Sequence, residues 1–266
     1  MRDVLEAIML GIIQGLTEFL PVSSSGHLEI GKWLLGNNLS GEESLLMTVV
    51  LHVATAISTI IVFRKDIVLL LKKIFTKNDV EGRNFALKII ISMIPAVIIG
   101  LTLENEIDAL FTGQLLLVGI CLLITGLLLL WADRPYIHNN PLSNKSALWI
   151  GIAQAIAILP GISRSGATIS TALLLKIDRA HAARFSFLMV VPLILGKIAK
   201  DLMDGSAMLS ITNQGLPLLA GFFAALITGW IACKWMITIV QHAKLKYFGY
   251  YCFIVGTLAI LSSIIW

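Results

Sequence analysis

Apolar residues run almost unbroken through six stretches, at roughly 44–63, 87–103, 114–131, 185–202, 216–238 and 250–266, with short polar segments between them. A helix crosses the hydrocarbon core of a bilayer, about 30 Å thick, with about 20 residues, so the pattern predicts six transmembrane helices. Pro95 and Pro192 fall inside two of the stretches. Proline breaks a strand but is carried as a kink in a membrane helix, which argues against a β-barrel.

Two further apolar runs are shorter and end in similar words. GIIQGLTEFLPVSSSG at 11–26 returns as GIAQAIAILPGISRSG at 151–166, so that Gly11, Ile12, Gln14, Ser23, Ser25 and Gly26 reappear 140 residues later as Gly151, Ile152, Gln154, Ser163, Ser165 and Gly166. Each run stops at a proline, and each is short for a full crossing. We read both as re-entrant helical hairpins: 4–20, the turn PVSSSGH and 28–35 in the first, then 147–159, PGISRSG and 167–176 in the second. The expected architecture is an all-α polytopic membrane protein, residues 1–266 forming one integral membrane domain, with pseudo-repeats of about 1–131 and 132–266.

Composition strengthens the membrane assignment. Hydrophobic residues make up 57% and charged residues 14% of the chain, and the mean hydropathy is +0.89, outside the range of soluble domains. The net charge of +4 does not imply a nucleic-acid partner, because Lys and Arg gather beside the spans, where they act as topology signals. Arg64, Lys65, Lys72, Lys73, Lys77, Arg83 and Lys88 flank one polar stretch, whereas 104–113 holds no basic residue. The basic stretch is therefore expected in the cytoplasm, with 132–146 and 241–248 on the same side and both termini outside. Lys197 and Lys200 run against this rule. The first hairpin then enters from outside and the second from the cytoplasm, making an inverted repeat whose broken-helix tips meet near the midplane. Asp3 and Glu6 stand where a signal peptide would be basic, so the N-terminal run is read as mature structure. Cys121, Cys233 and Cys252 lie in apolar segments without metal-ligand spacing or pairing logic.

The tips carry the candidate chemistry. Serine, glycine and backbone amides at a helix start favour an anion, phosphate above all, which makes Ser23, Ser25, Gly26, Ser163, Ser165 and Gly166 candidate phosphate ligands. Arg164 adds a guanidinium fork at membrane depth, where it needs a partner such as phosphate. Gln14 and Glu18, four residues apart, share a helix face with Thr17 beside them, and His27 follows the first turn. A carboxylate, an imidazole and several hydroxyls around an anion site are the parts for phosphoryl transfer. Taken singly, each has a plain structural reading: serines as helix caps, Glu18 as an interfacial acid, Arg164 as a snorkelling side chain. The constellation is what points to function.

QGLTEFLPVSSSGH at 14–27, joined to LPGISRSGAT at 159–168, closely resembles the undecaprenyl-diphosphate phosphatase family, the bacitracin resistance proteins. The resemblance implies a multi-pass enzyme of the bacterial plasma (inner) membrane that removes the terminal phosphate of undecaprenyl diphosphate and recycles the lipid carrier for cell-wall synthesis, working as a homodimer on a long-chain prenyl diphosphate. The family motif of Glu or Gln, three residues, then Glu falls on Gln14 and Glu18, the family histidine on His27 and the Ser-Arg pair on Ser163 and Arg164. It also implies a divalent cation, Mg2+ or Ca2+. Gln14 leaves one carboxylate for such an ion, so Glu18 is its candidate metal ligand, with Gln14 beside it.

From the residues, phosphate-ester hydrolysis follows with Arg164, Ser163, Ser165 and the turn amides holding the anion. Glu18 orients a metal ion or activates water, and His27 or Ser24 acts as nucleophile or proton donor; direct water attack and a phospho-enzyme both stay open. The competing class is a lipid flippase or secondary transporter, which shares inverted repeats with broken helices. His52 is expected to bond within the bundle or line the cavity. Glu29 is expected to pair with Lys32, Asp133 and Arg134 to form a helix-ending cytoplasmic turn, and Asp178, Arg179, His181 and Arg184 a solvated cytoplasmic stretch.

Overall fold

The computed structural model describes all residues except 1, 36–40, 77–78, 111–113, 135–138, 204–210, 243 and 266. Lys77 lies outside the described residues, as do the side chains of Lys197 and Lys200. The described residues form eleven helices and no strand: α1 Arg2–Phe19, α2 Ser24–Leu34, α3 Gly41–Phe75, α4 Val80–Thr102, α5 Glu104–Leu110, α6 Leu115–Ala132, α7 Asn144–Ile156, α8 Arg164–Leu174, α9 Arg179–Met203, α10 Ile211–His242 and α11 Lys246–Ile265. Six are long and apolar enough to cross a membrane, namely α3, α4, α6, α9, α10 and α11. They coincide with the six apolar stretches. Ile90, Leu127 and Ile254 on three of these helices are exposed, as a lipid-facing surface requires.

Helix directions follow from contacts. Leu51 and Ser58 of α3 meet Gly221 and Gly229 of α10 in the same order, so α3 and α10 run parallel. Phe63 packs on Phe187 with ring centroids 5.7 Å apart, and Asp66 pairs with Arg184 at 2.7 Å, so α3 and α9 run antiparallel. Helices α4 and α9 continue through Pro95 and Pro192.

Close approach of backbones is built on small residues, the usual device where lipid provides no hydrophobic drive for helix association. On α1, a Cβ added at Gly15 would lie 2.7 Å from the Gly229 nitrogen and 2.8 Å from the Ala225 oxygen of α10. Between α6 and α11 the arrangement is reciprocal and antiparallel: Gly119 faces the Gly256 carbonyl and Gly256 faces that of Gly119, both at 2.8 Å, while Gly126 and Gly249 repeat the exchange at 2.9 and 3.0 Å.

The short helices sit among these spans. α2, α7 and α8 have 11, 13 and 11 residues, about 16–20 Å at 1.5 Å per residue, well short of the hydrocarbon thickness. Their starts differ from expectation. α2 begins at Ser24 and α8 at Arg164, because Ser23 and Ser163 act as N-caps and accept from the Gly26 and Gly166 amides at 3.3 and 3.1 Å. A capping serine settles the first turn as helix, so Ser24, Ser25, Gly26 and His27 stand on α2 rather than in an open loop. One buried cluster, including Phe19, Val118, Leu122, Ile169, Leu173, Phe185 and Phe187, wraps both hairpins.

Candidate active site

The two hairpin tips interdigitate. A Cβ added at Gly26 would lie 3.0 Å from the Gly161 Cα, and one at Gly166 would lie 3.4 Å from the Pro21 Cβ. Gly161 has φ +97, a conformation that favours glycine. Ser165 Oγ crosses to donate to the Leu20 carbonyl at 3.2 Å. The Ser163 amide donates to Thr125 Oγ1 at 3.1 Å and that hydroxyl to the Gly161 carbonyl at 3.0 Å, so α6 fastens the second tip. Ser23 has φ 70, a left-handed backbone that costs a non-glycine residue of order 1–3 kcal/mol and gathers at functional sites.

At the centre of this contact lies Glu18, on the last turn of α1 and only 8% exposed. Arg164 Nη2, from the first turn of α8, donates to its Oε1. Its Oε2 accepts from Ser24 Oγ at 2.6 Å and from Gln14 Nε2 at 3.0 Å. Both oxygens act as acceptors, which is the hydrogen-bonding of an ionised carboxylate. His52 of α3 bonds the Thr48 carbonyl through Nδ1 at 2.8 Å and brings Nε2 to 3.9 Å from Glu18 Oε2, so it both bonds within the bundle and lines the site. Arg164 Nη1 is buried without a hydrogen-bond partner, as is Gln14 Oε1. The first is a spare donor for an anion and the second a spare acceptor for a cation.

His27 stands apart from the carboxylate. Its Nδ1 faces the Ser23 carbonyl at 2.8 Å and its Nε2 faces Tyr251 Oη on α11 at 2.9 Å. A carbonyl only accepts, so Nδ1 carries the proton and Nε2 presents its lone pair to the phenol. The two serine pairs mirror each other, Ser23 with Ser25 and Ser163 with Ser165, each at 3.3 Å between hydroxyl oxygens.

The structure thus gathers Gln14, Glu18, Ser24 and Arg164 in one hydrogen-bonded cluster, with Ser23, Ser25, Ser163 and Ser165 in the turns beside it. Gly26 and Gly166 have a different task from the expected one. Their amides are committed to the cap serines; the missing Cβ of Gly26 lets the Gly161 backbone approach, and that of Gly166 makes room for its own cap, Ser163. Sequence reasoning anticipated each member of the cluster but not the Glu18–Arg164 pair. It missed Tyr251 and Thr125, for which an aromatic or a threonine inside an apolar span gives no distinctive signal. Gln154, the counterpart of Gln14, is buried with neither amide atom bonded; the position four residues on is Ile158, where the first hairpin has Glu18.

The expected pair of Glu29 with Lys32 forms. Lys32 Nζ donates to Glu29 Oε1 at 2.9 Å and to Thr48 Oγ1 at 3.0 Å. At the basic end of the bundle a cavity of about 660 Å³ is lined in part by Lys73, Glu81, Lys88, Asp178, His181 and Arg184. Its charges are largely spent on one another: Arg184 pairs with Asp66 at 2.7 Å, His181 with Asp178 at 3.1 Å and Lys73 with Glu81 at 3.7 Å. Nearby, Arg179 binds Asp133 at 2.8 Å. This cavity has no counterpart of the Glu18 cluster.

Comparison with known proteins agrees with the geometry. Residues 7–258 match the family described as bacitracin resistance protein BacA. A protein of Christiangramia forsetii is 58% identical over 261 residues, covering 98% of both chains. One from Bacteroides fragilis is 47% identical over 265 residues, covering 97% of both, and one from Methanobrevibacter smithii is 38% identical over 279 aligned positions, covering 98% of both. All three bear the name undecaprenyl-diphosphatase.

Proposed function

Because this chain belongs to the bacitracin resistance protein BacA family, we propose that it hydrolyses undecaprenyl diphosphate to undecaprenyl phosphate and inorganic phosphate. The relatives' shared name supports the substrate. The observation that carries the chemistry is the Glu18 carboxylate, held between Arg164 of one hairpin tip and Ser24 of the other. Release of the carrier phosphate for renewed use in cell-wall synthesis, and resistance to bacitracin, follow from that reaction.

Ser24 Oγ, 2.6 Å from Glu18 Oε2, is a nucleophile with its base already in contact. The hydroxyl attacks the terminal phosphorus, Glu18 takes its proton, and the bond to the bridging oxygen breaks, leaving undecaprenyl phosphate. Water then attacks the phosphoserine and frees inorganic phosphate. Arg164 Nη1 and a hydroxyl of the Ser23–Ser25 pair hold the phosphate oxygens, where most catalysis of phosphoryl transfer resides; the Ser165 proton goes to the Leu20 carbonyl and the Ser163 proton to Ser165, so these two serines shape the second tip. His27 is the second candidate acceptor of the phosphoryl group, since its Nε2 carries a lone pair.

A divalent cation fits this site. Among the described residues no three His, Cys, Asp or Glu side chains gather as a cage, yet Mg2+ is usually bound by one or two carboxylates plus substrate phosphates. Glu18 and the unpartnered Oε1 of Gln14 would hold it. When bound it supplies charge neutralisation to the diphosphate.

The same reading makes α1–α2 and α7–α8 re-entrant hairpins of an inverted repeat, with pseudo-repeats of about 1–131 and 132–266. The contact of Gly26 with Gly161 becomes that of Gly166 with Pro21 under the 140-residue offset, which supports the exchange. The site opens outward in the inner membrane, and the enzyme is a homodimer, the state its family resemblance implies.

Phosphate release by the purified protein from a long-chain prenyl diphosphate in detergent tests the assignment. Hydrolysis by the native chain, lost in a folded Glu18→Gln variant, is expected. Transport in liposomes without hydrolysis would favour a carrier and overturn it.

A further inference from the structure

His27 is fixed from two elements that lie far apart in the chain. The Ser23 carbonyl takes its Nδ1 proton, and Tyr251 Oη lies 2.9 Å from Nε2. The two rings also stack, with centroids 5.6 Å apart and planes within 8°. Tyr251 is well placed for precision. Its helix, α11, is locked to α6 through Gly249 and Gly256, which bracket it, and the next residue, Cys252, is fully buried and directs Sγ toward the Pro21 carbonyl at 3.9 Å. Tyr251 itself is 44% exposed, so the ring pair reaches the surface of the bundle.

We propose that Tyr251 is a positioning residue of the reaction: its hydroxyl donates to Nε2 of His27 and holds the ring plane of an imidazole whose tautomer the Ser23 carbonyl already sets. This rests on the phosphatase reading above. The donor assignment follows because Nε2 has a lone pair and no proton, leaving the phenol as the only donor of the pair. A stacked ring alone would leave the imidazole free to slide, and a hydroxyl alone would leave it free to tilt. Together they orient His27 as an outer partner orients a metal-bound histidine. An aromatic residue in a membrane helix often serves only as an interfacial anchor, a role that requires no contact with His27.

The test is a double-mutant cycle on steady-state phosphate release in detergent, with thermal stability measured on every variant. Tyr251→Phe keeps the stacked ring and removes the hydroxyl. It is expected to lower kcat about tenfold, the rate equivalent of one well-made hydrogen bond, with KM within about twofold and little change in Tm. Once His27→Ala has been made, Tyr251→Phe should cost nothing further, because the phenol acts through the imidazole. Equal losses in both backgrounds, an unchanged kcat in Tyr251→Phe, or full activity in His27→Ala would each overturn the proposal. If the native protein releases no phosphate at all, the phosphatase reading has failed and this inference falls with it.

Discussion

Ser24 and Arg164 occupy equivalent places in the two hairpins, 140 residues apart, and both donate to the same carboxylate, that of Glu18. Each is the first residue of its helix, following a capping serine. One copy presents a hydroxyl and the other a guanidinium, so a single acid faces a hydroxyl on one oxygen and a fixed cation on the other. The second hairpin has Ile158 and Ala167 where the first has Glu18 and His27. In the proposed reaction the first tip supplies the reacting groups and the second holds charge.

The pair predicts coupled stability. Removing one partner of a buried ion pair costs about 3–5 kcal/mol, because it leaves the other charge uncompensated. Arg164→Ala should therefore lower Tm sharply, whereas Glu18→Gln combined with Arg164→Leu should recover much of the loss. Phosphate release stays abolished in both. Arg164→Lys should keep the fold better than alanine but remain at least tenfold slower, since an ammonium lacks the planar fork. Calorimetry beside activity on the four proteins checks this.

Ser24→Ala removes a hydroxyl whose loss costs the fold about 1 kcal/mol. Its effect on turnover should be far larger, at least a hundredfold, because the nucleophile is gone. Trapping with labelled diphosphate followed by peptide mapping should find the phosphate on Ser24. Label on His27 would transfer the nucleophilic role there, and no label in a rapidly quenched reaction would indicate direct attack by water.

Gly15 and Gly100 make a matched pair of helix-interior glycines with opposite outcomes. A Cβ at Gly15 meets the backbone of α10 at under 3 Å, while one at Gly100 meets nothing within 4 Å. Gly15→Leu should separate α1 from α10, displace Glu18 one turn away and reduce stability and activity together. Gly100→Ala should leave activity intact and stabilise the helix by roughly 0.5–1 kcal/mol. Thermal unfolding in one detergent reads both.

Chelation should stop phosphate release, and added Mg2+ should restore it. Gln14→Leu keeps the apolar volume but removes the amide oxygen beside Glu18, so the Mg2+ concentration for half-maximal rate should rise severalfold. A native enzyme indifferent to chelator would remove the cation from the reading.

Acid should loosen the start of α9. Burial pushes the Asp178 carboxyl up, but the His181 amide and ring and the Ala180 amide outweigh it and hold it below the usual carboxylate value. A depressed carboxyl contributes stability that is full above its unfolded value, about 3.9, and is lost as pH falls through the lower folded one. Asp178→Ala should cost about 0.5–2 kcal/mol at pH 7, as loss of a helix cap does, and the difference from the native protein should shrink once pH falls below the unfolded value of about 3.9. Tm against pH for the two proteins is the measurement.

The six spans and the two tip motifs were legible because their causes are local. A bilayer demands an apolar run of a given length whatever lies beside it, and a serine before a helix caps that helix wherever it packs. Even so, α2 and α8 begin at Ser24 and Arg164 and not at 28 and 167, since a cap reaches forward into the turn that glycine and serine would otherwise suggest is loop. Gly26 and Gly166 were legible as special but not for the right reason: Gly26 serves the approach of two backbones, Gly166 makes room for its cap serine, and both amides are taken.

What the chain alone determined, then, was the inventory: a membrane bundle, two repeated tips, one carboxylate, one buried guanidinium and one imidazole. Only the tertiary structure decided how they meet. Glu18 and Arg164 are 146 residues apart, and His27 and Tyr251 are 224 apart. No periodicity or spacing records such a contact, because it arises where helices cross, and the crossings are set by which small residues let which backbones close to van der Waals distance.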